Sequence, residues 1–194
     1  LGEIHLRINA VQLRNAMGVA DSGSGSLPFH DVRSRVLLDD LCTRIKSEPP
    51  WEINFQSLSE ENATARRQLM LATQILKHVE CDQPIRLLIA ECEKPVTIMT
   101  ALYLAYKFGI ADRLDISPLF ETTFGLEHGV DLIDQLLGHE VFCAYVRQRG
   151  RIAIETGFSD AGRFIGQVSA NLAIERLQLK IAGLIKAKFN ADVN

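Results

Sequence analysis

The chain has 194 residues, 47% of them hydrophobic and 23% charged, and its 21 Lys and Arg against 24 Asp and Glu leave a formal charge of −3. This composition describes an ordinary globular chain and excludes intrinsic disorder and a collagen-like fibre. With no block of Lys or Arg in it, neither nucleic acid nor an anionic membrane surface is expected as a partner.

No stretch approaches the roughly 18 uninterrupted apolar residues of a membrane-spanning helix, and the residues from Leu1 to Arg7 do not have the layout of a signal peptide. A cytoplasmic protein is the expectation. Cys42, Cys81, Cys92 and Cys143 form no Cys-x-x-Cys pair, and the five histidines form no i,i+4 pair, so thiol exchange and a zinc site are not expected. The cysteines read as reduced core thiols. Because Leu1 already stands within a strand pattern and is not a starting methionine, the chain is expected to be a piece of something longer.

In chain order, Ile4 to Asn9 reads as a strand from its β-branched and aliphatic content. Asp21-Ser-Gly-Ser-Gly-Ser26, followed by Pro28, has the composition of a flexible linker, at about 21–28. Val32 to Ile45 and Thr64 to Val79 carry apolar residues at one-faced helical spacing. Between them, Glu48-Pro49-Pro50 marks a break, and Trp51 to Leu58 fits no element clearly. A strand over Ile85 to Ala90 precedes a helix that opens at Pro95 and stops near Gly109. Tyr103 and Tyr106 on that helix read as core or interface. A strand over Asp115 to Phe120 is followed by helices around Leu126 to Leu137 and Val141 to Arg149. A fourth strand is expected over Arg151 to Thr156, then one long helix from near Asp160 toward Ala187. Arg147, Arg149 and Arg151 read as a solvated basic cluster.

Strands separated by helices imply parallel pairing through right-handed crossovers, hence a helix-rich α/β fold. Four strands are half of a closed eight-stranded barrel, so the sheet is either small and open or part of a barrel. In such folds the carboxyl ends of the strands carry the ligands. There the sequence places Arg7 with Asn9, then Glu91, then Glu121, then Asp160 beyond Gly157-Phe-Ser. Two carboxylates from separate strands suit a hard cation such as Mg²⁺, and a guanidinium suits a phosphate or carboxylate. The plainer alternatives are Asp160 as a helix cap, Glu121 as a solvated strand-end residue, Arg7 as a surface ion-pair member, and Glu91 as a turn residue. Gly157-Phe-Ser-Asp-Ala-Gly162 is neither a nucleophile elbow nor a P-loop.

At these same positions the chain resembles the phosphoenolpyruvate carboxylase family. The shared features are Ile4-His-Leu-Arg7, Leu88-Ile-Ala with Pro95 and its helix, Pro118-Leu-Phe-Glu-Thr122 and Gly157-Phe-Ser-Asp160, in that order. The resemblance implies a segment of a parallel β/α (TIM-like) barrel. It further implies Glu121 and Asp160 as metal ligands for Mg²⁺ or Mn²⁺, Arg7 as a contact to the substrate phosphate, phosphoenolpyruvate and bicarbonate as substrates, and no biotin. Where the family has a lysine near the bicarbonate site, this chain has Arg163, which keeps the charge without the compact ammonium. The family's early His-Pro-Thr-Glu segment and its later glycine- and arginine-rich loop find no match here. Residues 1–194 are therefore expected to be a single central segment of a larger enzyme, one that is a homo-oligomer when whole, and to be inactive alone. The rival is a non-catalytic helical interaction or assembly segment whose carboxylates are only caps.

Overall fold

A computed structural model of the chain describes residues 4–18, 32–79 and 84–190; the expected linker at about 21–28 and Cys81 lie outside the described residues. Strand β1 (Ile4–Asn9) leads directly into α1 (Ala10–Ala16). Helices α2 (Val32–Ser47) and α3 (Thr64–His78) follow, with a short 3₁₀ turn at Phe55–Ser59 between them. Then come β2 (Ile85–Ala90), α4 (Pro95–Lys107), β3 (Leu114–Phe120), α5 (Thr123–Leu137) and α6 (Glu140–Arg149). The chain closes with β4 (Glu155–Thr156), α7 (Phe158–Ile165) and α8 (Gln167–Phe189).

The four strands lie in the order β1-β2-β3-β4 and every pairing is parallel. Strands adjacent in sequence are adjacent in space, each pair joined through helix, so the fold is a helix-rich α/β structure on a parallel sheet. Strand β3 is buried at every position, as a central parallel strand must be when both faces are covered. The core joins Leu87 and Ile89 of β2, Ile116 and Phe120 of β3, and a run along α4 from Ile98 to Ala105 that is buried at nearly every residue. Cys92 and Cys143 are buried free thiols and Cys42 is half-buried. Burial pushes the Cys92 thiol up to about 12, which keeps it protonated and unreactive.

Four expectations are corrected by the tertiary structure. First, α1 forms where the sequence suggests no element. It is set by Asn9, whose side chain accepts from the Gln12 N–H at 2.9 Å while the Gln12 side chain accepts from the Asn9 N–H at 3.0 Å; this is a capping box. Second, the expected single helix from Asp160 is two. Gly166 at φ 81°, ψ 155° takes a backbone conformation that residues with a side chain rarely adopt, and it separates α7 from α8.

Third, β4 is two residues long rather than six. Along the amino-terminal half of β3 the Tyr145 hydroxyl occupies the place of a neighbouring strand, accepting from the Ile116 N–H at 2.9 Å and donating to the Leu114 carbonyl at 2.9 Å. Fourth, the basic cluster is not simply solvated. Arg149 and Arg151 each reach the carboxylate of Asp115 at 2.7 Å, and that side chain is 3% exposed. Only Arg147 keeps the surface character expected of it, paired with Glu140 at 2.7 Å.

Tyr103 sits in the core, as its reading as core or interface allows, and its hydroxyl anchors a polar hub. It donates to Glu48 at 2.9 Å, and the buried Lys107 reaches the same carboxylate at 2.7 Å and the Pro49 carbonyl at 2.8 Å. Trp51, in the stretch the sequence leaves ambiguous, packs edge-on against Tyr103 and Phe108. The Pro49-Pro50 break is thus tied to the end of α4.

Candidate active site

The carboxyl end of the sheet opens onto a cleft of about 560 Å³ lined by Arg7, Asn9, Ala90, Glu91, Glu121, Thr122, Asp160, Arg163 and Phe164. Arg7 comes from β1, Glu121 follows β3, and Asp160 and Arg163 stand on α7. These four residues, expected at a site from the sequence, therefore line one cleft.

Glu121 is the best-held of them. Its side chain is 10% exposed, and one carboxylate oxygen lies 3.7 Å from the Arg7 guanidinium, which is itself 64% exposed. The other oxygen accepts the backbone N–H of Glu91 at 3.1 Å. Glu91 holds φ at 52°, a left-handed conformation that costs a residue with a side chain free energy and that concentrates at functional sites. On the third side Gly157 closes in: its N–H donates to the Phe120 carbonyl at 3.0 Å. A Cβ placed on Gly157 would stand 2.5 Å from the Cβ of Glu121. The turn that carries Asp160 can lie against Glu121 only because residue 157 lacks a side chain.

Asp160 is in the first turn of α7, whose cap is Gly157 without a side-chain cap bond. Instead of capping, its carboxylate lies 3.5 Å from Arg163, and its side chain is 47% exposed. Asn9, placed with Arg7 at the strand end, is committed to capping α1. Thr122 caps α5 through the Gly125 N–H at 3.0 Å and donates to Glu93 at 2.9 Å. From α3, the Gln68 side-chain amide supports the Arg7 carbonyl at 3.2 Å.

Sequence reasoning misses the Glu91 amide, the Gln68 support and the spacing role of Gly157. Of these only Gly157 carries a signal, as the glycine opening the Gly-Phe-Ser-Asp turn. The other two are backbone contacts that no residue type announces.

Chemically, the cleft offers the carboxylates of Glu91, Glu121 and Asp160 and the guanidiniums of Arg7 and Arg163 around an open space. Among the described residues no group of three or more His, Cys, Asp and Glu converges as a closed metal site. An all-oxygen pair from separate elements, leaving room for water and substrate oxygens, fits Mg²⁺ or Mn²⁺, which keep several waters and take one or two carboxylates. Both oxygens of Glu121 retain acceptor capacity beside their present partners.

A parallel α/β sheet with carboxylates and guanidiniums at its carboxyl edge carries them where β/α folds bind their ligands. A sequence profile described as phosphoenolpyruvate carboxylase matches residues 28–190, and the chain belongs to that family. Among curated relatives, the phosphoenolpyruvate carboxylase of Thermus sp. (strain 71) is 36% identical over 73 residues, covering 38% of this chain and 8% of the relative. That of Xanthomonas campestris pv. campestris (strain 8004) is 32% identical over 90 residues, 43% of this chain and 10% of the relative. The phosphoenolpyruvate carboxylase of Corynebacterium glutamicum is 31% identical over 75 residues, 38% of this chain and 8% of the relative. The matched segment thus spans about a tenth or less of these relatives. Among the described residues, no helix is long and apolar enough to cross a membrane.

Proposed function

We propose that this chain forms one wall of the active site of a phosphoenolpyruvate carboxylase, on a β/α barrel of which β1 to β4 are consecutive staves. In this reading Glu121 and Asp160 are the ligands of a Mg²⁺ or Mn²⁺ ion, Arg7 contacts the substrate phosphate and Arg163 holds the bicarbonate. The observation that carries it is the convergence of these residues, from β1, the end of β3 and α7, on one cleft.

The overall reaction joins bicarbonate to phosphoenolpyruvate to give oxaloacetate and phosphate. Bicarbonate attacks the phosphorus, leaving carboxyphosphate and an enolate, and carbon dioxide released from the former then bonds to the enolate carbon. The divalent ion, when bound, supplies Lewis-acid stabilisation of the oxygen charge that these steps develop.

The chain's own residues bind and orient. Arg7 presents a planar fork matched to phosphate oxygens, and its exposed side chain is accessible from the cleft. Arg163 adds a second fixed positive charge across the cleft. The Glu91 amide holds Glu121 in place, so little reorganisation accompanies binding. Groups that act as a unit leave little catalysis when some are removed, so the chain by itself is expected to bind rather than turn over.

Calorimetric titration with Mn²⁺ tests the reading. The intact chain should bind the ion, and Glu121→Ala and Asp160→Ala should each abolish binding while remaining folded. Absence of binding to the intact chain, or equal binding by both variants, would instead support the non-catalytic assembly segment.

A further inference from the structure

The two proposed cation ligands do not stand bare in the cleft. The Arg7 guanidinium lies 3.7 Å from Glu121, and the Arg163 guanidinium lies 3.5 Å from Asp160. Each pair joins a proposed cation ligand to a proposed anion contact, and both pairs line the same cleft. The cleft therefore stores its cation-binding and anion-binding groups on each other.

These pairs differ from the ion pairs that hold the scaffold. Arg149 and Arg151 meet Asp115 at 2.7 Å, and Lys107 meets Glu48 at 2.7 Å, the distance of a full charge-assisted hydrogen bond. At 3.5 and 3.7 Å the cleft pairs keep the attraction of opposite charges with little hydrogen bonding. Their arginine side chains are 64% and 76% exposed, whereas the Glu121 side chain is 10% exposed and accepts the Glu91 N–H at 3.1 Å. Glu121 is thus the fixed member of its pair and Arg7 the one free to leave. Turning an exposed guanidinium out into water costs little.

We infer that Arg7 and Arg163 are resident counter-ions of the cleft: each neutralises its carboxylate while no divalent cation is bound, and each gives that carboxylate up when a cation takes it. The inference rests on the reading of Glu121 and Asp160 as ligands and deepens it. In the empty cleft the two guanidiniums compete with a divalent cation and lower its affinity. An anion that draws the guanidiniums to itself removes the competition, and linkage requires the bound cation to favour the anion by the same factor. If the arginines instead served to position the carboxylates, the sign would reverse, because loss of a supporting group weakens a metal site.

Calorimetric titration of the whole chain with Mn²⁺ at low ionic strength, where exposed charges are least screened, tests this. Arg7→Gln and Arg163→Gln should each bind Mn²⁺ about three- to tenfold more tightly than the original chain, the scale of an exposed charge acting on a doubly charged ion. Arg7→Lys and Arg163→Lys keep the charge and should stay near the original affinity. Inorganic sulfate, as the anion probe, should tighten Mn²⁺ binding to the original chain more than to Arg7→Gln. Damage to the fold does not mimic a gain of affinity, so the sign separates the counter-ion role from a structural one. Glutamine variants that bind Mn²⁺ no better than the original, while Glu121→Ala abolishes binding, would overturn the inference and leave the ligand reading standing. A gain in one glutamine variant alone would overturn it for the other arginine. Lysine variants that gain as much as the glutamine ones would overturn it too, since charge would not be the cause. Absence of Mn²⁺ binding to the original chain and to both glutamine variants would overturn the inference and the ligand reading together.

Discussion

Substituting Gly157 by alanine is the sharpest probe of how the fold builds the cleft. The new Cβ would stand 2.5 Å from the Glu121 Cβ and 3.2 Å from its Cα, whereas non-bonded carbons settle at about 3.5–4.0 Å. Relief requires a shift of about 1 Å, and the nearest obstacles, Glu121 Cβ and Cα, cannot swing aside like the tip of a flexible chain. Overpacking of this kind costs about 1–3 kcal/mol, offset by about 0.4–1 kcal/mol from the lower entropy of the unfolded chain. A net loss of about 1–2 kcal/mol follows, or roughly 2–8 °C in melting temperature for a domain of this size.

Two controls isolate the steric cause. Alanine at Gly129 meets Leu177 Cδ1 at 2.9 Å, a movable side-chain end, and should cost less. Alanine at Gly183, an exposed position of α8 with nothing within 4 Å, should stabilise by about 0.5–1 kcal/mol from helix propensity. Denaturant unfolding at sub-micromolar chain, with Mn²⁺ titration of the same variants, reads both consequences. The displaced turn should also weaken Mn²⁺ binding by about tenfold, the lower end for loss of a supporting group around a metal site. An unchanged or raised stability in Gly157→Ala would refute the steric argument. Lowered stability with unaltered Mn²⁺ affinity would refute the link between Gly157 and the spacing of Glu121 and Asp160.

The remaining expectations concern the scaffold. Tyr145→Phe leaves the Ile116 N–H and the Leu114 carbonyl without the hydroxyl that now serves both. It should cost about 2–3 kcal/mol in denaturant unfolding, the scale of buried polar groups left unpaired; a loss below about 0.5 kcal/mol would show that β3 finds another partner there. Glu48 is held at about 2, below the ordinary 4.5, by its bonds to Lys107, Arg44 and Tyr103. Because the folded value is the lower one, the stability it contributes is complete above about pH 4.5 and lost as pH falls toward 2. Glu48→Gln should therefore flatten that limb of the stability curve, and an unaltered acid limb would remove Glu48 from the account. At the alkaline end, burial and the Glu48 carboxylate hold Tyr103 up at about 12 against an ordinary 10, so its contribution is complete below pH 10 and fades as pH rises toward 12. Tyr103→Phe should remove that alkaline loss in a thermal melt against pH.

Much of the fold was legible because local rules act along the chain. The aliphatic run from Ile85 to Ala90, the proline that opens α4 and the apolar spacing of α3 each declare an element within a few residues. The alternation of strands and helices then implies parallel pairing. Three of the four cleft residues were legible for a related reason: a parallel sheet puts its strand ends on one edge, so Arg7, Glu121 and Asp160 share that edge on the sequence alone, whereas Arg163 is indicated only by the family resemblance.

What the sequence left open depended on approach between distant segments. Residues 151–154 carry a strand composition, yet the edge of β3 that they would pair with is taken by a hydroxyl from α6. Arg149 and Arg151 look like surface charges until the fold brings them to a buried aspartate on another element. The close packing of Gly157 on Glu121 and the aim of the Glu91 amide likewise exist only after folding. Propensity and periodicity are properties of neighbours in sequence, and they settle what each segment becomes. Which polar group satisfies which buried partner is a property of neighbours in space, and only the tertiary structure decides it.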